Sequence, residues 1–256
     1  MSMYQHFRNC ISVASNCGSR EVNEDRVFTN LVSSEELGTL WTLAVMDGHR
    51  GEEAVTEVIT NLYPELLKAL SNNKGDIEAA LTEAFYGLNQ LTMSIRAGTT
   101  LSCAIISENE SKAYVAILGD SPVIVIGEDG ITLSPEHNVR TNTEEREAAV
   151  ARGALYEDGF IGLGMNFIQL SRALGDCDLG RILDRNPEIF TVDLDAGSVM
   201  ILATDGIWRS RANYDEQAFS LTKNLIWDEY TADDFVQGAL KHTSDNVSVI
   251  TWRRNP

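Results

Sequence analysis

The 256-residue sequence lacks a long apolar run. Its longest apolar stretch, residues 113–126, is interrupted by Gly119, Asp120 and Pro122, whereas a membrane-spanning helix needs about 20 consecutive apolar residues. The first ten residues contain no apolar core of the signal-peptide type. We therefore expect a soluble, cytoplasmic protein without a membrane partner.

Basic residues are also scarce. Twenty Lys and Arg residues stand against 38 Asp and Glu residues, which gives a formal net charge of −18. A surface of this charge repels nucleic-acid phosphates, so we expect no nucleic-acid partner. The same repulsion acts on any phosphorylated ligand unless cations intervene. Most of the acids are simply solvated, but part of the excess is a candidate cation site.

The cysteines indicate no special chemistry. Cys10, Cys17, Cys103 and Cys177 form no CxxC pair and are accompanied by no histidine cluster, which disfavours a zinc site. We interpret them as reduced, non-catalytic thiols. A Walker loop, a GxGxxG motif and a Ser-His-Asp signature are likewise missing from the sequence.

The apolar residues that are present predict an α+β fold. Apolar positions at helical spacing predict two amphipathic helices over 52–70 and 76–95. Short apolar runs separated by turn signals after residue 98 predict an antiparallel meander. Further helices are expected over 143–152, 213–228 and 232–242, and further strands over 11–14, 26–30, 40–46, 188–193, 198–204 and 246–252. Since no group of strands is self-sufficient, we expect one domain with helix pairs covering the sheet faces.

Acidic residues recur at the predicted ends of strands. Three apolar runs end in an acid next to glycine, and three more acids stand just before a strand: Asp47, Asp120, Asp205, Asp245, Glu24 and Asp25. Any one of them is most simply a turn former. Packed sheets would bring them to one rim, where two carboxylates about 4 Å apart repel by roughly 4 kcal/mol. Such a cluster requires protonation or cations, and oxygen ligands suit Mg²⁺ or Mn²⁺.

Eight segments then carry a resemblance to a known family. They occur in order between residues about 18 and 250: SREVNEDRVF, VMDGHRGEEA, SCAIIS, AYVAILGDS, LSPEHN, LSRALGD, ILATDGIW and SDNVSVI. This series resembles the ordered motifs of the metal-dependent protein Ser/Thr phosphatases of type 2C, the PPM family. The resemblance implies a four-layer αββα sandwich, with two mainly antiparallel sheets flanked by helix pairs, forming a single catalytic domain over 1–256.

The resemblance also implies a chemistry. Phosphoserine and phosphothreonine of a protein substrate would be hydrolysed by a water bound between two Mn or Mg ions. Asp47 resembles the acid that bridges both ions, and the carbonyl of Gly48 resembles a ligand of one. Asp205 and Asp245 resemble ligands of the other ion. Glu24 and Asp25 resemble acids that hold metal-bound waters.

Two further residues receive catalytic roles from the resemblance. Arg20 stands where the family places a phosphate-binding arginine, and the alternative is a surface ion pair with Glu21 or Glu24. His49 resembles the proposed general acid that protonates the leaving alkoxide, and the alternative is a histidine that only orders the following helix. Asp176 in LSRALGD is a candidate outer acid, not a predicted ligand.

The sequence departs from the family pattern after DGIW. An acid there usually helps the acid of GDS to hold a third ion, but this chain has Arg209. We expect the Arg209 guanidinium to lie near Asp120 in place of that ion, which makes a third ion doubtful. The alternative is that Arg209 points to solvent. In addition, Arg50 follows DGH where a small residue is common, and it either adds positive potential or faces solvent.

Two other functions stay open at this point. The chain could be a catalytically weak or silent phosphatase-like binding module, although every expected two-metal ligand is retained. It could also hydrolyse small phosphate monoesters. A monomer is the default expectation.

Overall fold

The computed structural model describes residues 11–34 and 38–254. The strands are β1 (Ile11–Asn16), β2 (Arg26–Ser34), β3 (Gly38–Met46), β4 (Gly48–His49), β5 (Gly98–Thr99), β6 (Leu101–Ser107), β7 (Lys112–Leu118), β8 (Val123–Gly127), β9 (Gly130–Leu133), β10 (Leu155–Glu157), β11 (Phe160–Leu163), β12 (Asn166–Ile168), β13 (Leu174–Gly175), β14 (Glu188–Asp193), β15 (Val199–Ala203) and β16 (Val247–Arg253). The helices are α1 (Glu53–Asn72), α2 (Ile77–Thr92), α3 (Thr143–Ala151), α4 (Tyr214–Trp227) and α5 (Ala232–Ala239).

Two five-stranded sheets form the centre of the molecule. Their strand orders are β14-β7-β6-β3-β2 and β1-β16-β15-β8-β9, and all their pairings are antiparallel. Apolar side chains from both sheets, including Leu43, Ile106, Met200 and Trp252, form one buried cluster between them. Every residue of β6 is buried, because both faces of this strand are covered. Such a strand has a nearly continuous apolar sequence rather than an alternating one.

Helix pairs cover the outer faces of the two sheets. The buried face of α1 includes Val55, Val58 and Leu62, at the spacing that keeps side chains on one side of a helix. Together with α2 it packs on the sheet that contains β3 and β6. Helices α4 and α5 supply buried residues against the sheet that contains β15 and β16. The expected αββα sandwich is therefore confirmed.

Two small sheets were not predicted from the sequence. Strands β10, β11 and β12 form one, and β13, β5 and β4 form the other. Their strands are two to four residues long, which is too short for a recognisable alternation of apolar and polar residues. The second small sheet matters for function because His49 lies in β4.

The remaining expectations concern the thiols and the membrane. Cys17, Cys103 and Cys177 carry free thiols, whereas Cys10 and the rest of segment 1–10 lie outside the described residues. Burial raises the pKa of the Cys103 thiol to about 12. Within the described part of the chain, no helix is long and apolar enough to cross a membrane.

Candidate active site

A cavity of about 460 Å³ opens at one end of the two sheets. Antiparallel pairing places the end of one strand beside the start of its neighbour, so acids that follow β3 or β15 meet acids that precede β2 or β16. Most residues predicted for the site line this cavity: Arg20, Glu24, Asp47, Gly48, His49, Asp120, Asp205 and Asp245. Asp25 is not among the lining residues and is almost completely buried.

Asp47 is held through its backbone. Its N–H donates to Thr100 Oγ1 at 2.9 Å, and its carbonyl accepts from the Thr100 N–H at 2.9 Å. Desolvation raises the pKa of the Asp47 carboxyl well above its usual value, and repulsion from Asp25, Asp205 and Asp120 raises it further. Hydrogen bonds to Thr100 thus fix the Asp47 main chain, and Asp47 lines the cavity.

Asp25 carries an unpartnered buried oxygen. Its Oδ2 accepts a hydrogen bond from Thr204 Oγ1 at 2.8 Å, but its Oδ1 is buried without a partner. Burial raises the pKa of Asp25 to about 7, although the nearby Ser248 hydroxyl and the hydrogen bond from Thr204 act in the opposite direction. A buried acceptor without a donor is costly, so this oxygen calls for a proton or a cation.

Asp205 and Asp245 are each paired with an arginine. Asp205 begins a short 3-10 turn, Asp205–Ile207, and its Oδ2 lies 3.1 Å from Arg211 Nη2. Burial and the neighbouring Asp120 raise the pKa of Asp205 to about 7, and the Arg211 charge opposes this. Asp245 Oδ2 lies 3.0 Å from Arg20 Nη2. Sequence reasoning anticipated neither ion pair.

The structure departs from the expectation for Arg209. Among the described residues no ion pair joins Arg209 to Asp120, and the Arg209 side chain is exposed while its N–H donates to Gln217 Oε1 at 2.8 Å. Arg211, and not Arg209, lines the cavity that contains Asp120. The 3-10 turn ends at Trp208, whose backbone is extended (φ −75°, ψ 135°), so the helical path does not continue to Arg209.

Asp120 itself is buried in the cavity wall. Its Oδ2 accepts from Asn138 Nδ2 at 2.8 Å. Burial raises the pKa of Asp120, and the nearby charges of Arg211 and His49 lower it. The sequence placed Asp120 correctly at the rim but did not identify Asn138 or Arg211 as its neighbours.

Glu24 and Gly48 are close neighbours. Glu24 Oε1 accepts from the Gly51 N–H at 2.8 Å, and the Glu24 N–H donates to Asn246 Oδ1 at 2.8 Å. A Cβ added to Gly48 would lie 2.6 Å from the Glu24 carbonyl oxygen. Position 48 therefore requires glycine if the two chain segments are to approach this closely.

The two predicted catalytic side chains lie at the mouth of the cavity. The Arg20 side chain is 59% exposed, and its ion-pair partner is Asp245 rather than Glu21 or Glu24. His49 Nε2 lies 2.7 Å from Asp176 Oδ2. Arg50 does not simply face solvent, because it forms ion pairs with Asp176 and Asp178.

The donor set fits hard cations. It consists of carboxylate and carbonyl oxygens, which are the preferred ligands of Mg²⁺ and Mn²⁺. The unpartnered Asp25 Oδ1 and the raised pKa values of Asp25, Asp47 and Asp205 show carboxylates whose burial is not fully compensated by nearby positive charge. Within residues 11–34 and 38–254, no three acidic, His or Cys side chains are already arranged around a common point. Arg20 and Arg211 are hydrogen-bonded to oxygens of Asp245 and Asp205.

Comparison with known proteins gives consistent matches along the chain. The family model described as protein phosphatase 2C matches residues 10–247. A probable protein phosphatase 2C 59 from Oryza sativa subsp. japonica is 30% identical over 250 residues, which cover 94% of this chain and 74% of that protein. Protein phosphatase 1L of Bos taurus is 30% identical over 263 residues, which cover 94% of this chain and 71% of that protein.

Solved structures share the fold at lower identity. A serine-threonine phosphatase 2C from Toxoplasma gondii superposes with a TM-score of 0.77 at 20% identity, over 94% of this chain and 93% of that one. A C. elegans sex determining protein also gives a TM-score of 0.77, at 22% identity, over 96% of this chain and 65% of that one.

These matches, together with the fold, place the molecule among the protein serine/threonine phosphatases. The chain belongs to the protein phosphatase 2C family. The resemblance inferred from the ordered motifs is thereby confirmed.

Proposed function

We propose that the protein hydrolyses phosphoserine and phosphothreonine in protein substrates and depends on two divalent cations, Mn²⁺ or Mg²⁺. The observation that carries the proposal is the convergence of the Asp25, Asp47 and Asp205 carboxylates: burial raises the pKa of each, and repulsion from neighbouring acids of the same cavity raises it further. A protein gains nothing in stability from such a cluster unless cations or protons compensate it.

Six residues would hold the ions. Asp47 would bridge them, and the Gly48 carbonyl would bind one. Asp205 and Asp245 would bind the other, while Glu24 and Asp25 would act through waters. When bound, such ions attract the phosphate and lower the pKa of a water molecule toward neutrality.

The chain's own side chains then act on the substrate. Arg20 lies at the mouth, and its planar guanidinium can hold two phosphate oxygens once it is released from Asp245. His49 lines the same cavity and would donate a proton to the departing serine or threonine oxygen. The permanent positive charge of Arg20 offsets the acidity of the cavity for an anionic substrate.

One assay tests this proposal against its alternatives. Hydrolysis of a phosphothreonine peptide and of p-nitrophenyl phosphate is measured with Mn²⁺, with EDTA, and in the variants Asp47→Asn and Asp205→Asn. We expect activity only with the metal, and a large loss in both variants. Activity that survives EDTA or both substitutions would contradict the two-metal chemistry.

The same assay separates the other functions. A wild-type protein that binds a phosphopeptide but hydrolyses neither substrate with any divalent metal is a binding module. Faster hydrolysis of metabolite esters than of the phosphopeptide indicates small-molecule substrates. The variant Asp129→Asn is a matched control, because Asp129 is an exposed acid in the turn between β8 and β9.

A further inference from the structure

His49 has a buried acid behind it. Its Nε2 lies 2.7 Å from Asp176 Oδ2, and the Asp176 side chain is fully buried. The two residues are 127 positions apart in the sequence. The His49 side chain keeps 23% of its surface exposed and lines the cavity. One ring nitrogen therefore contacts the buried acid while the ring remains accessible from the cavity.

The acid is fixed in turn by an arginine. Arg50 Nη1 donates to Asp176 Oδ1 at 3.0 Å, so the two Asp176 oxygens have different partners. Arg50 also makes two hydrogen bonds to Asp178, from Nη1 to Oδ1 at 3.0 Å and from Nη2 to Oδ2 at 2.6 Å. A two-point contact of this kind orients the guanidinium as well as attracting it. The carboxylate of Asp176 consequently has little freedom to rotate.

The smaller sheet brings these groups together. Gly98 in β5 pairs with His49 on one side and with Gly175 on the other. A Cβ added to Gly98 would lie 2.0 Å from Asp176 Oδ2 and 2.3 Å from His49 Nε2. Only glycine leaves room at position 98 for the hydrogen bond between the two side chains.

The backbone is strained on both sides of this contact. Arg50 has φ 65° and Asp176 has φ 47°, in the left-handed region that is unfavourable for residues other than glycine. Such conformations persist where the surrounding contacts hold them, and they concentrate at functional sites. Here the two strained residues are Asp176, which supplies the buried acid, and Arg50, which holds that acid through a hydrogen bond.

We propose that Asp176 is a positioning residue for His49, and that Arg50 and Asp178 hold Asp176 in place. A carboxylate paired with arginine accepts hydrogen bonds and donates none. Nε2 of His49 must therefore keep its hydrogen, which leaves Nδ1 as the nitrogen that exchanges a proton in the cavity. Nδ1 makes no hydrogen bond to any described residue. This inference rests on the proposed function for the role of His49 as proton donor.

The first test observes the imidazole itself and does not require activity. Proton–nitrogen correlation spectra of the full chain at alkaline pH report which ring nitrogen carries the hydrogen, and His49→Gln assigns the signals. We expect the Nε2–H tautomer of His49 in the wild type and a mixture of tautomers in Asp176→Asn. An Nδ1–H tautomer in the wild type would overturn the proposal, even if the protein proved to have another activity.

The second test uses the leaving group. A threonine alkoxide needs a proton when it departs, whereas p-nitrophenolate is a stable anion and does not. General acid catalysis contributes about 10²–10⁴-fold, so Asp176→Asn should lower kcat for the phosphothreonine peptide by about that factor. For p-nitrophenyl phosphate kcat should change by less than about tenfold on the same reasoning. Equal losses for both substrates would show a merely structural role and refute the proposal.

Additional variants link the loss to this contact. Asp176→Asn added to His49→Gln should cost nothing more than His49→Gln alone, since residues that act as a unit are not additive. Gly98→Ala should show the same leaving-group pattern without altering either side chain. Asp178→Asn weakens only the support of Arg50 and should show a smaller difference between the two substrates. Asp129→Asn should show no such difference. Additive losses in the double variant would contradict the inference.

Discussion

The buried acids of the cavity should destabilise the metal-free protein as the pH rises. The Asp25 carboxyl has an ordinary pKa of 3.8 and a pKa of about 7 in the folded chain. Below about pH 4 it is protonated in both states. Between about pH 4 and 7 the unfolded chain loses this proton while the folded chain retains it, so folding becomes progressively less favourable. Above about pH 7 Asp25 is ionised in both states, and its destabilising contribution to folding no longer grows.

The size of the effect follows from the two pKa values. One pKa unit corresponds to about 1.4 kcal/mol, so a rise from 3.8 to about 7 lowers the free energy of unfolding by about 4 kcal/mol once Asp25 is ionised. For a domain of this length, 1 kcal/mol shifts the melting temperature by about 2–4 °C. Asp25→Asn removes the charge and leaves an acceptor for Thr204 Oγ1. In EDTA at about pH 8 this variant should therefore melt roughly 10 °C above the wild type.

Thermal melts at a series of pH values provide the measurement. In EDTA the wild type and Asp25→Asn should converge near pH 4 and separate as the pH rises. Saturating Mn²⁺ should stabilise the wild type more than the variant, because ligand binding to the folded state adds to stability. Asp129→Asn should follow the wild type throughout. A difference in melting temperature that does not change with pH would refute the reasoning. So would a wild type more stable than Asp25→Asn at about pH 8 in EDTA.

Three further predictions concern the cationic and glycine positions. Arg211→Ala should bind divalent cations more tightly than the wild type, or bind an additional one, because Arg211 occupies an oxygen of the predicted ligand Asp205. Calorimetric titration measures this, with Arg209→Ala, which removes an exposed arginine, as the matched control. Identical titrations for the two variants would contradict the prediction. Arg20→Ala should raise KM for the phosphopeptide by about 10–100-fold, the value of a charge-assisted hydrogen bond, with a smaller effect in Arg20→Lys, and an unchanged KM would exclude phosphate binding. Gly48→Ala should lower the unfolding free energy by about 1–3 kcal/mol, because its Cβ would lie 2.6 Å from the Glu24 carbonyl oxygen; chemical denaturation checks this, and wild-type stability would contradict it.

Sequence patterns alone were sufficient for the layers and for most of the cavity. Apolar spacing in α1 and α2 and the continuous apolar runs of the central strands are local properties. The acids at strand ends were also readable, because antiparallel pairing brings the end of one strand to the start of the next whatever the strand order. Asp47 and Asp205 follow strands of different sheets, and their assignment to one rim rests on the expectation that the sheets pack face to face.

The contacts that orient the side chains were decided only by the tertiary structure. The His49–Asp176 hydrogen bond depends on β4, β5 and β13, whose two-residue strands leave no periodic signal in the sequence. That Arg211 rather than Arg209 pairs with Asp205 depends on the path of the chain after the 3-10 turn. Residue type and spacing determine which groups reach one end of the sheets. Which charge faces which acid is determined by a few dihedral angles and by packing between distant segments, and neither is encoded in a local pattern.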